Sequence, residues 1–462
     1  MLEYKVNDLQ NSRTSLVQKS IKINMKIFYY LLIFNIFLTN SYAVPFKWLK
    51  NEILEVCRVN QDVKLDNTWV EDNGKWAWNS INLSEGELLS VHLRKGKKTN
   101  WRWYATHSDS FPVKSTKYHK VTVNKNYGDK KVNEVITDCK KAKSKVKKIK
   151  FNTNDIFIQD DMFDGLEDNK KIKGFGNLIF PVQKKCKGIK RYPVMFLIHH
   201  SGGKIMTDYK HILHDMCIAT FEPLIFKARG YDSNFYDRSK EISWTSPHVG
   251  ALDSLRALDV LSKNKSIEPT KIGIMGWSWG GTVAIETQNY FNLDVIKPKN
   301  NFKLHLALYP FCYHYENIKT TDAPLFILMG DKDYLPYSLC EEYIETQKDQ
   351  KKTNKQIIVF KNTTHFYDKT GSSFEDGLKI SSDCRVYTDK NGQIWVRPTD
   401  KSKWFNISAN GGWFGNKGDK KLYDHSMKIC WGYGSSLNQK NQVAYEKTLK
   451  MFKENVTKYL IN

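Results

Sequence analysis

A serine between two glycines is the first residue of this sequence whose setting suggests chemistry. Ser278 lies in Gly-Trp-Ser-Trp-Gly at 276–280, between an apolar, β-branched segment and a helix-forming one. A serine hydroxyl is a weak nucleophile, so it must be held on a sharp turn where a base can reach it. Glycines on either side leave room for that turn. We therefore expect Ser278 to be the nucleophile of an acyl transfer.

An acid and a histidine follow this serine in the chain. Asp333 comes shortly after Pro-Leu-Phe-Ile-Leu-Met-Gly, and His365 comes shortly after Gln-Ile-Ile-Val-Phe. Groups that follow successive strands of a parallel sheet meet at the same edge of the sheet. We expect His365 to take the proton from Ser278 and Asp333 to hold the histidine tautomer. Asp331, in the same loop, is the alternative acid.

Acyl transfer also needs backbone N–H groups that stabilise an oxyanion. The helix after Ser278 has free N–H groups in its first turn, and a glycine-bearing loop at 197–203 follows an earlier apolar segment. We expect the N–H groups of Ser201 and Trp279 to form the oxyanion hole. The substrate pocket is predicted to include His200, Trp277 and Tyr309. This chemistry requires no metal and no cofactor, and we predict neither.

Apolar segments alternate with amphipathic ones over the region that carries these residues. Strands are predicted at 174–182, 192–199, 222–227, 271–276, 304–309, 324–329 and 356–360, and helices at 207–217, 249–261, 280–289 and 442–460. Such alternation is typical of parallel βαβ units. The predicted fold class is therefore α/β, with a doubly wound, mostly parallel sheet of the α/β-hydrolase type.

The first 43 residues are typical of a leader with a signal peptide. A Met-Lys pair gives a short basic start, residues 27–38 are mostly apolar, and Ser-Tyr-Ala at 41–43 permits cleavage after Ala43. The apolar segment is short for a membrane span. Residues 1–24 are either a long polar leader or precede the true start. We expect export to the periplasm or the extracellular space.

Residues 44–139 are predicted to form a small, Trp-rich and β-rich accessory domain. Its six tryptophans either fill the core or form a binding face for sugar or cell wall. Residues 140–150 carry lysines without acidic relief and are predicted to be a linker, with docking to an anionic surface as the functional alternative. The hydrolase domain is predicted over 151–462.

The chain has eight cysteines, all after the predicted cleavage site. An even set in an oxidising compartment favours disulfides. Position along the chain favours Cys57 with Cys139 and Cys384 with Cys430.

The net charge of +23 indicates either an ordinary lysine-rich surface or weak binding to an anionic envelope surface. No nucleic-acid motif accompanies the charge. We therefore predict no specific nucleic-acid partner.

From about Phe151 to the C terminus the sequence resembles the dienelactone hydrolase family. The resemblance rests on LIHHSGG, GWSWGG, the acid in MGDKD, the histidine in NTTHF and the segment HVGALDSLRALD at 248–259. It implies hydrolysis of a small-molecule ester, lactone or related acyl compound through an acyl-enzyme, without a cofactor. The family's namesake activity uses a cysteine where this chain has Ser278, so dienelactone is not the expected substrate.

Two other functions fit parts of the sequence. One is a peptidase of the prolyl-oligopeptidase type, whose catalytic domain shares the motif order, although the N-terminal segment is short for that family's propeller. The other is a non-catalytic cell-surface binding protein, in which a hydrolase scaffold carries the Trp-rich and Lys-rich segment. The presence of Ser278, Asp333 and His365 together favours an enzyme.

Overall fold

The computed structural model describes much of the chain from Val44 onward. The described residues are 44–45, 49–70, 75–83, 85, 88–95, 100–106, 118–141, 145–157, 159–163, 165–181, 186, 188–230, 245–315, 319–347, 354–369, 372–376, 379–380, 384–388, 394–398, 405–406, 431–432 and 435–462. The predicted leader and signal peptide, residues 1–43, lie outside them.

The N-terminal part of the described chain is built from strands. They are β1 (Val44–Pro45), β2 (Leu49–Val59), β3 (Val63–Val70), β4 (Trp76–Leu83), β5 (Leu88–Lys95), β6 (Asn100–Thr106), β7 (Tyr118–Val123) and β8 (Ile136–Lys141). They form two four-stranded antiparallel sheets, in the orders β1-β7-β3-β4 and β6-β5-β2-β8. Trp76 is 60% exposed. The predicted β-rich character is therefore present, while the role of the tryptophans stays a prediction.

The chain then builds a large central sheet. Its next strands are β9 (Lys145–Asn154), β10 (Lys171–Phe180), β11 (Tyr192–Ile198), β12 (Ala219–Pro223), β13 (Ile267–Trp277), β14 (His305–Leu308), β15 (His314–Tyr315), β16 (Leu325–Gly330) and β17 (Lys355–Phe360). All except β15 belong to one eight-stranded sheet, in the order β17-β16-β14-β13-β11-β12-β10-β9. Strands β17 to β12 in that order are parallel, and β10 and β9 continue the sheet antiparallel. The predicted mostly parallel α/β sheet is confirmed.

Short strands follow the central sheet. They are β18 (Ser372–Asp376), β19 (Lys379–Ile380), β20 (Cys384–Thr388), β21 (Ile394–Pro398), β22 (Phe405–Asn406), β23 (Trp431–Gly432) and β24 (Ser435–Gln439). Strands β20, β21 and β22 join β15 in a small sheet, while β18 pairs with β24 and β19 with β23. The segment between His365 and the last helix therefore begins and ends with strands that pair with each other in antiparallel fashion.

Helices connect and cover the central sheet. They are α1 (Gln159–Phe163), α2 (Thr207–Asp215), α3 (Ile225–Ala228), α4 (Pro247–Leu261), α5 (Trp279–Glu286), α6 (Tyr290–Ile296), α7 (Tyr337–Glu345) and α8 (Gln442–Val456), and a π-helical turn at Thr457–Ile461 extends α8. Helix α4 has favourable start signals, because Pro247 occupies its first turn and the Ser246 side chain accepts a hydrogen bond from the N–H of His248. No helix in the described ranges is long and apolar enough to cross a membrane.

The strand predicted at 222–227 is misplaced. The strand β12 ends at Pro223, and the helix α3 begins at Ile225. The N–H of Leu224 still donates to the carbonyl of Phe175 on β10, after which the chain turns into the helix. Ile225 and Phe226 are buried, as the apolar pattern predicts, but they lie on a short helix.

Residues 145–150 of the predicted linker belong to β9, at one edge of the central sheet. Ile149 and Phe151 are buried, and they alternate with exposed Lys148 and Lys150. Exposed lysines on an edge strand oppose pairing with a strand of another chain. The lysine pattern therefore fits an edge strand, and the domain boundaries stay predictions.

The two faces of the central sheet pack into separate apolar clusters. On β11, Val194 and Phe196 belong to one cluster with α4 and α5, whereas Met195 and Leu197 belong to another with α2 and α8. Side chains of a strand alternate between faces, so a fully apolar strand indicates cover on both sides. Strand β11 is therefore covered by helices on both faces of the sheet.

Disulfides cross-link the described residues at three places. The predicted pair of Cys57 with Cys139 is confirmed. The other two join Cys186 to Cys217 and Cys312 to Cys340. Cys430 lies outside the described residues, so its pairing with Cys384 stays a prediction.

Four of the buried histidines in the described part of the chain have a lowered pKa. Burial lowers the pKa of His199 and His305 to about 4 and that of His214 and His248 to about 3, because the charged imidazolium would lose its hydration. Between these values and the ordinary pKa of 6.5, protons bind the unfolded chain and not the folded one, so stability falls as the pH falls. Burial of Glu286 acts in the opposite direction, since its pKa is raised to about 7 and the folded state keeps that proton.

We expect the free energy of unfolding to fall below about pH 6.5, by up to about 1.4 kcal/mol per pH unit for each histidine. Thermal unfolding followed by circular dichroism at about pH 7.5 and about pH 5.5 measures the slope. His305→Gln removes one of the titrating groups and should make the slope shallower. Equal unfolding temperatures at the two pH values would contradict this account.

Candidate active site

Ser278 lies on a sharp turn between β13 and α5. Its φ is 52° and its ψ is −118°, a backbone conformation that L residues rarely adopt. The turn is held by the Ser278 N–H, which donates to the carbonyl of Leu308 at 2.9 Å, and by the Ser278 carbonyl, which accepts from the N–H of Thr282 at 3.0 Å. Such a turn lifts the hydroxyl out of the sheet.

The flanking glycines are required because backbone crosses backbone at this turn. A Cβ on Gly276 would lie 2.0 Å from the carbonyl oxygen of Gly280. A Cβ on Gly280 would lie 2.4 Å from the carbonyl oxygen of Ile198, on the adjacent strand β11. Backbone atoms cannot move aside as a flexible side chain can, so only glycine fits at either position.

We expect Gly276→Ala to lower the free energy of unfolding by several kcal/mol, because the added methyl group overlaps backbone atoms. The melting temperature should fall accordingly. Gly273→Ala, on the same strand, is the matched control. Its Cβ would meet only the side chains of Leu460 and Met195, at 3.1 and 3.2 Å. Thermal unfolding of both variants measures the difference, and equal losses would contradict the proposed backbone crossing.

The structure brings Ser278, His365 and Asp333 together. The Nε2 of His365 lies 3.0 Å from the Oγ of Ser278, and its Nδ1 lies 2.9 and 2.8 Å from the two carboxylate oxygens of Asp333. The side chains of His365 and Asp333 are fully buried, and Ser278 is 6% exposed. One ring nitrogen therefore faces the hydroxyl while the other is held by an acid, which is the geometry that general-base activation requires.

The neighbouring acid, Asp331, has a different contact. Its Oδ1 accepts a hydrogen bond from the N–H of Thr363 at 3.1 Å, which ties the acid loop to the histidine loop. Gly330 lets the loops approach, because a Cβ there would lie 2.0 Å from the carbonyl oxygen of Thr363. Of the two candidate acids, the structure places Asp333 against His365.

The loop after β11 presents backbone N–H groups near the turn of Ser278. Within it, the N–H of Gly202 donates to Nδ1 of His200 and the N–H of Gly203 donates to the carbonyl of His200. No acceptor among the described residues takes the N–H of Ser201. Trp279 begins α5, where the first N–H groups have no partner within the helix. Both predicted oxyanion donors can thus donate to an oxygen atom of a bound ligand, and their role stays a prediction.

His199, in the same loop, has a packing role. Its ring stacks on the indole of Trp279 at 5.3 Å, and the indole Nε1 donates to the carbonyl of Thr245. Burial lowers the pKa of His199 to about 4. A histidine held in this way supports the loop and the start of α5.

The three predicted pocket residues differ in position. His200 packs edge-on against Phe366, the residue after His365. Tyr309 is fully buried, with its ring 4.6 Å from the ring of His365. Trp277 is also fully buried, and its indole N–H donates to Asp368. All three residues are buried, and their role in a substrate pocket stays a prediction.

Two further residues lie at the site, Tyr334 and Asp368. The ring of Tyr334 lies 4.3 Å from that of His365, and Asp368 accepts hydrogen bonds from the buried hydroxyls of Tyr209 and Tyr309. Tyr334 directly follows Asp333 in the chain, so its proximity could have been inferred. The partners of Asp368 are distant in sequence, and no local pattern marks them.

Comparison with protein families supports the resemblance seen in the sequence. Residues 218–390 match the model of the dienelactone hydrolase family. The matched stretch contains Ser278, Asp333 and His365. No curated protein matches the chain. The predicted resemblance to the dienelactone hydrolase family is therefore confirmed over these residues.

Several solved structures are similar to the protein at low sequence identity. A dienelactone hydrolase-like promiscuous phosphotriesterase from metagenomic libraries is 13% identical, with a TM-score of 0.33 over 48% of this chain and 85% of that one. An esterase of the Planctomycetes species Thermogutta terrifontis is 13% identical, with a TM-score of 0.33 over 42% and 79%. An α/β-hydrolase enzyme from a Medee basin deep-sea metagenome library is 17% identical, with a TM-score of 0.31 over 42% and 78%.

Proposed function

We propose that the protein is a serine hydrolase that cleaves an ester, a lactone or a related acyl bond of a small molecule. The observation that carries this proposal is the continuous contact from Ser278 through His365 to Asp333, with 3.0 Å between the hydroxyl and the imidazole. The match to the dienelactone hydrolase family supports the same class of reaction.

The proposed reaction has two proton transfers through His365. In the first step the Oγ of Ser278 attacks the acyl carbon and its proton passes to Nε2 of His365. The imidazolium, stabilised by Asp333, then protonates the leaving alcohol as the ester bond breaks. In the second step water attacks the acyl-enzyme, its proton passes through the same nitrogen to Ser278, and the carboxylic acid leaves.

The proposed oxyanion hole consists of the N–H groups of Ser201 and Trp279. The negative charge that develops on the acyl oxygen needs donors that are already oriented. Trp279 is fixed because its indole is hydrogen-bonded and stacked. The loop of Ser201 is fixed by its own internal hydrogen bonds. We therefore expect both proposed donors to be held in place before substrate binds.

We infer that the protein acts after export to an oxidising compartment. Three disulfides among the described residues support this inference, because such bonds persist outside reducing compartments. The predicted signal peptide at 1–43 is the proposed export signal.

A panel of substrates tests the proposed reaction on the full-length, disulfide-intact protein. We expect turnover of p-nitrophenyl esters and of a simple lactone, with little turnover of short peptide anilides. A rapid first release of p-nitrophenol, equal to the amount of active enzyme, would indicate the acyl-enzyme. Turnover confined to peptide anilides would favour a peptidase, and a lack of turnover across the panel would contradict the proposal.

A further inference from the structure

The buried carboxylate of Asp368 takes no part in the proposed proton transfer, but it binds Tyr309, whose ring packs against His365. Asp368 is 1% exposed. Its Oδ1 accepts a hydrogen bond from the hydroxyl of Tyr309 at 2.7 Å, and its Oδ2 accepts from the hydroxyl of Tyr209 at 2.9 Å and the indole N–H of Trp277 at 3.2 Å. The three donors come from α2, from the end of β13 and from the residue after β14.

A carboxylate is costly to bury unless such donors replace its water. Each donor here is itself fully buried. Burial and the nearby charge of Asp368 raise the pKa of Tyr209 well above its ordinary value, so this hydroxyl keeps its proton and donates. The Asp368 side chain therefore joins α2, the end of β13 and the residue after β14 through hydrogen bonds of fixed direction.

The cluster touches the reacting residues at two points. Trp277 directly precedes Ser278, and the ring of Tyr309 packs against the ring of His365 with centroids 4.6 Å apart. Tyr309 has a φ of 38°, a conformation that persists only where the surroundings fix it. Its N–H donates to Leu328 at 2.7 Å, and its hydroxyl is held by Asp368. Both ends of Tyr309 are therefore anchored, and its ring is held against the imidazole at an interplanar angle of 61°.

Asp368 also shapes the histidine loop itself. It lies three residues after His365, and the intervening Phe366 has a φ of 54°. The carbonyl of Phe366 accepts from the N–H of Lys369, which closes a tight turn around Asp368. The orientation of His365 is thus constrained from its own loop and from Tyr309.

We propose that Asp368 is a positioning residue, which holds the imidazole of His365 in line with Ser278 by anchoring Tyr309 and the turn that carries the histidine. The proposal rests on the proposed hydrolase function. Tyr309 is the element through which the effect reaches the ring, since its ring contacts the imidazole and its hydroxyl contacts the carboxylate.

The effect should be largest where His365 must deliver a proton accurately. An ethyl ester needs protonation of its leaving alcohol, whereas a p-nitrophenyl ester has a leaving group that departs without it. We therefore compare kcat/KM, which reports the steps up to acylation, for ethyl and p-nitrophenyl esters of the same acid. Tyr309→Phe and Asp368→Asn are expected to lower the ethyl to p-nitrophenyl ratio by about 10-fold.

Tyr209→Phe is the matched control. It removes the same kind of hydrogen bond to Asp368, but the ring of Tyr209 packs on Trp277, Tyr445 and Phe452. It should cost stability and keep the ratio of the parent enzyme. Asp368→Asn changes the centre of a buried hydrogen-bond cluster and can prevent folding. In that case Tyr309→Phe alone tests the proposal.

The outcomes separate the two proposals. A lower ratio in Tyr309→Phe with a parental ratio in Tyr209→Phe supports positioning through Tyr309. Unchanged ratios in both, or equal losses in both, would overturn it while leaving the hydrolase function intact. If the parent protein neither turns over esters nor reacts at Ser278 with a phosphonate probe, the hydrolase function fails and the positioning role fails with it.

Discussion

Ser278→Ala is expected to lower the turnover of p-nitrophenyl acetate by at least about 10⁴-fold, since no acyl-enzyme can form without the hydroxyl. The loss should appear in kcat, because the oxyanion donors and the pocket are unchanged. The melting temperature should stay close to that of the parent, as alanine occupies the same turn with one atom fewer. Steady-state kinetics and thermal unfolding on the same preparations measure both quantities.

Ser254→Ala provides a serine control in the same fold. Ser254 is fully buried on α4, and its hydroxyl has no hydrogen-bond partner among the described residues. The control should keep parental turnover. Comparable turnover in Ser278→Ala and the parent would show that the nucleophile is misassigned.

Asp333→Asn is expected to lower kcat by about 10⁴-fold without unfolding the protein. An amide at this position would donate a hydrogen bond to Nδ1 of His365, which places the histidine proton on Nε2. That nitrogen then faces the hydroxyl of Ser278 as a donor and cannot accept its proton. The same assay, with circular dichroism to confirm the fold, measures the effect.

Asp331→Asn is the matched control for the acid. The oxygen of an amide can still accept the hydrogen bond from the N–H of Thr363, which is the contact that Asp331 makes. We therefore expect a small loss of activity. If Asp331→Asn is the more damaging change, the acid of the site is Asp331 and the loop rearranges on substrate binding.

The three residues of the candidate site and their order along the chain could be predicted, because each has a local signal in the sequence. Ser278 is framed by glycines that a strand-to-helix turn requires, and Asp333 and His365 each follow an apolar strand. A parallel sheet brings the ends of such strands to one edge, whatever the sequence distance between them. The predicted strands at β11, β13, β14, β16 and β17 are all present, with ends displaced by a few residues at most.

Contacts between distant side chains were not predictable in the same way. Tyr209 and Asp368 are 159 positions apart, and nothing in the sequence singles out this tyrosine among 24. Trp277 is predicted to line a pocket because it lies at a strand end, and that role stays a prediction. In the structure Trp277 packs into the same apolar cluster as Tyr209 of α2, a contact that no local pattern marks.

The most direct test of the central claim is the site of reaction with a fluorophosphonate probe, which modifies only activated serines. Labelled, disulfide-intact protein is digested, and the modified peptide is identified by mass spectrometry. We expect one phosphonyl group on the peptide that contains Ser278, and no labelling in Ser278→Ala. Absence of labelling in the folded parent protein, or labelling that persists in the variant, would contradict it.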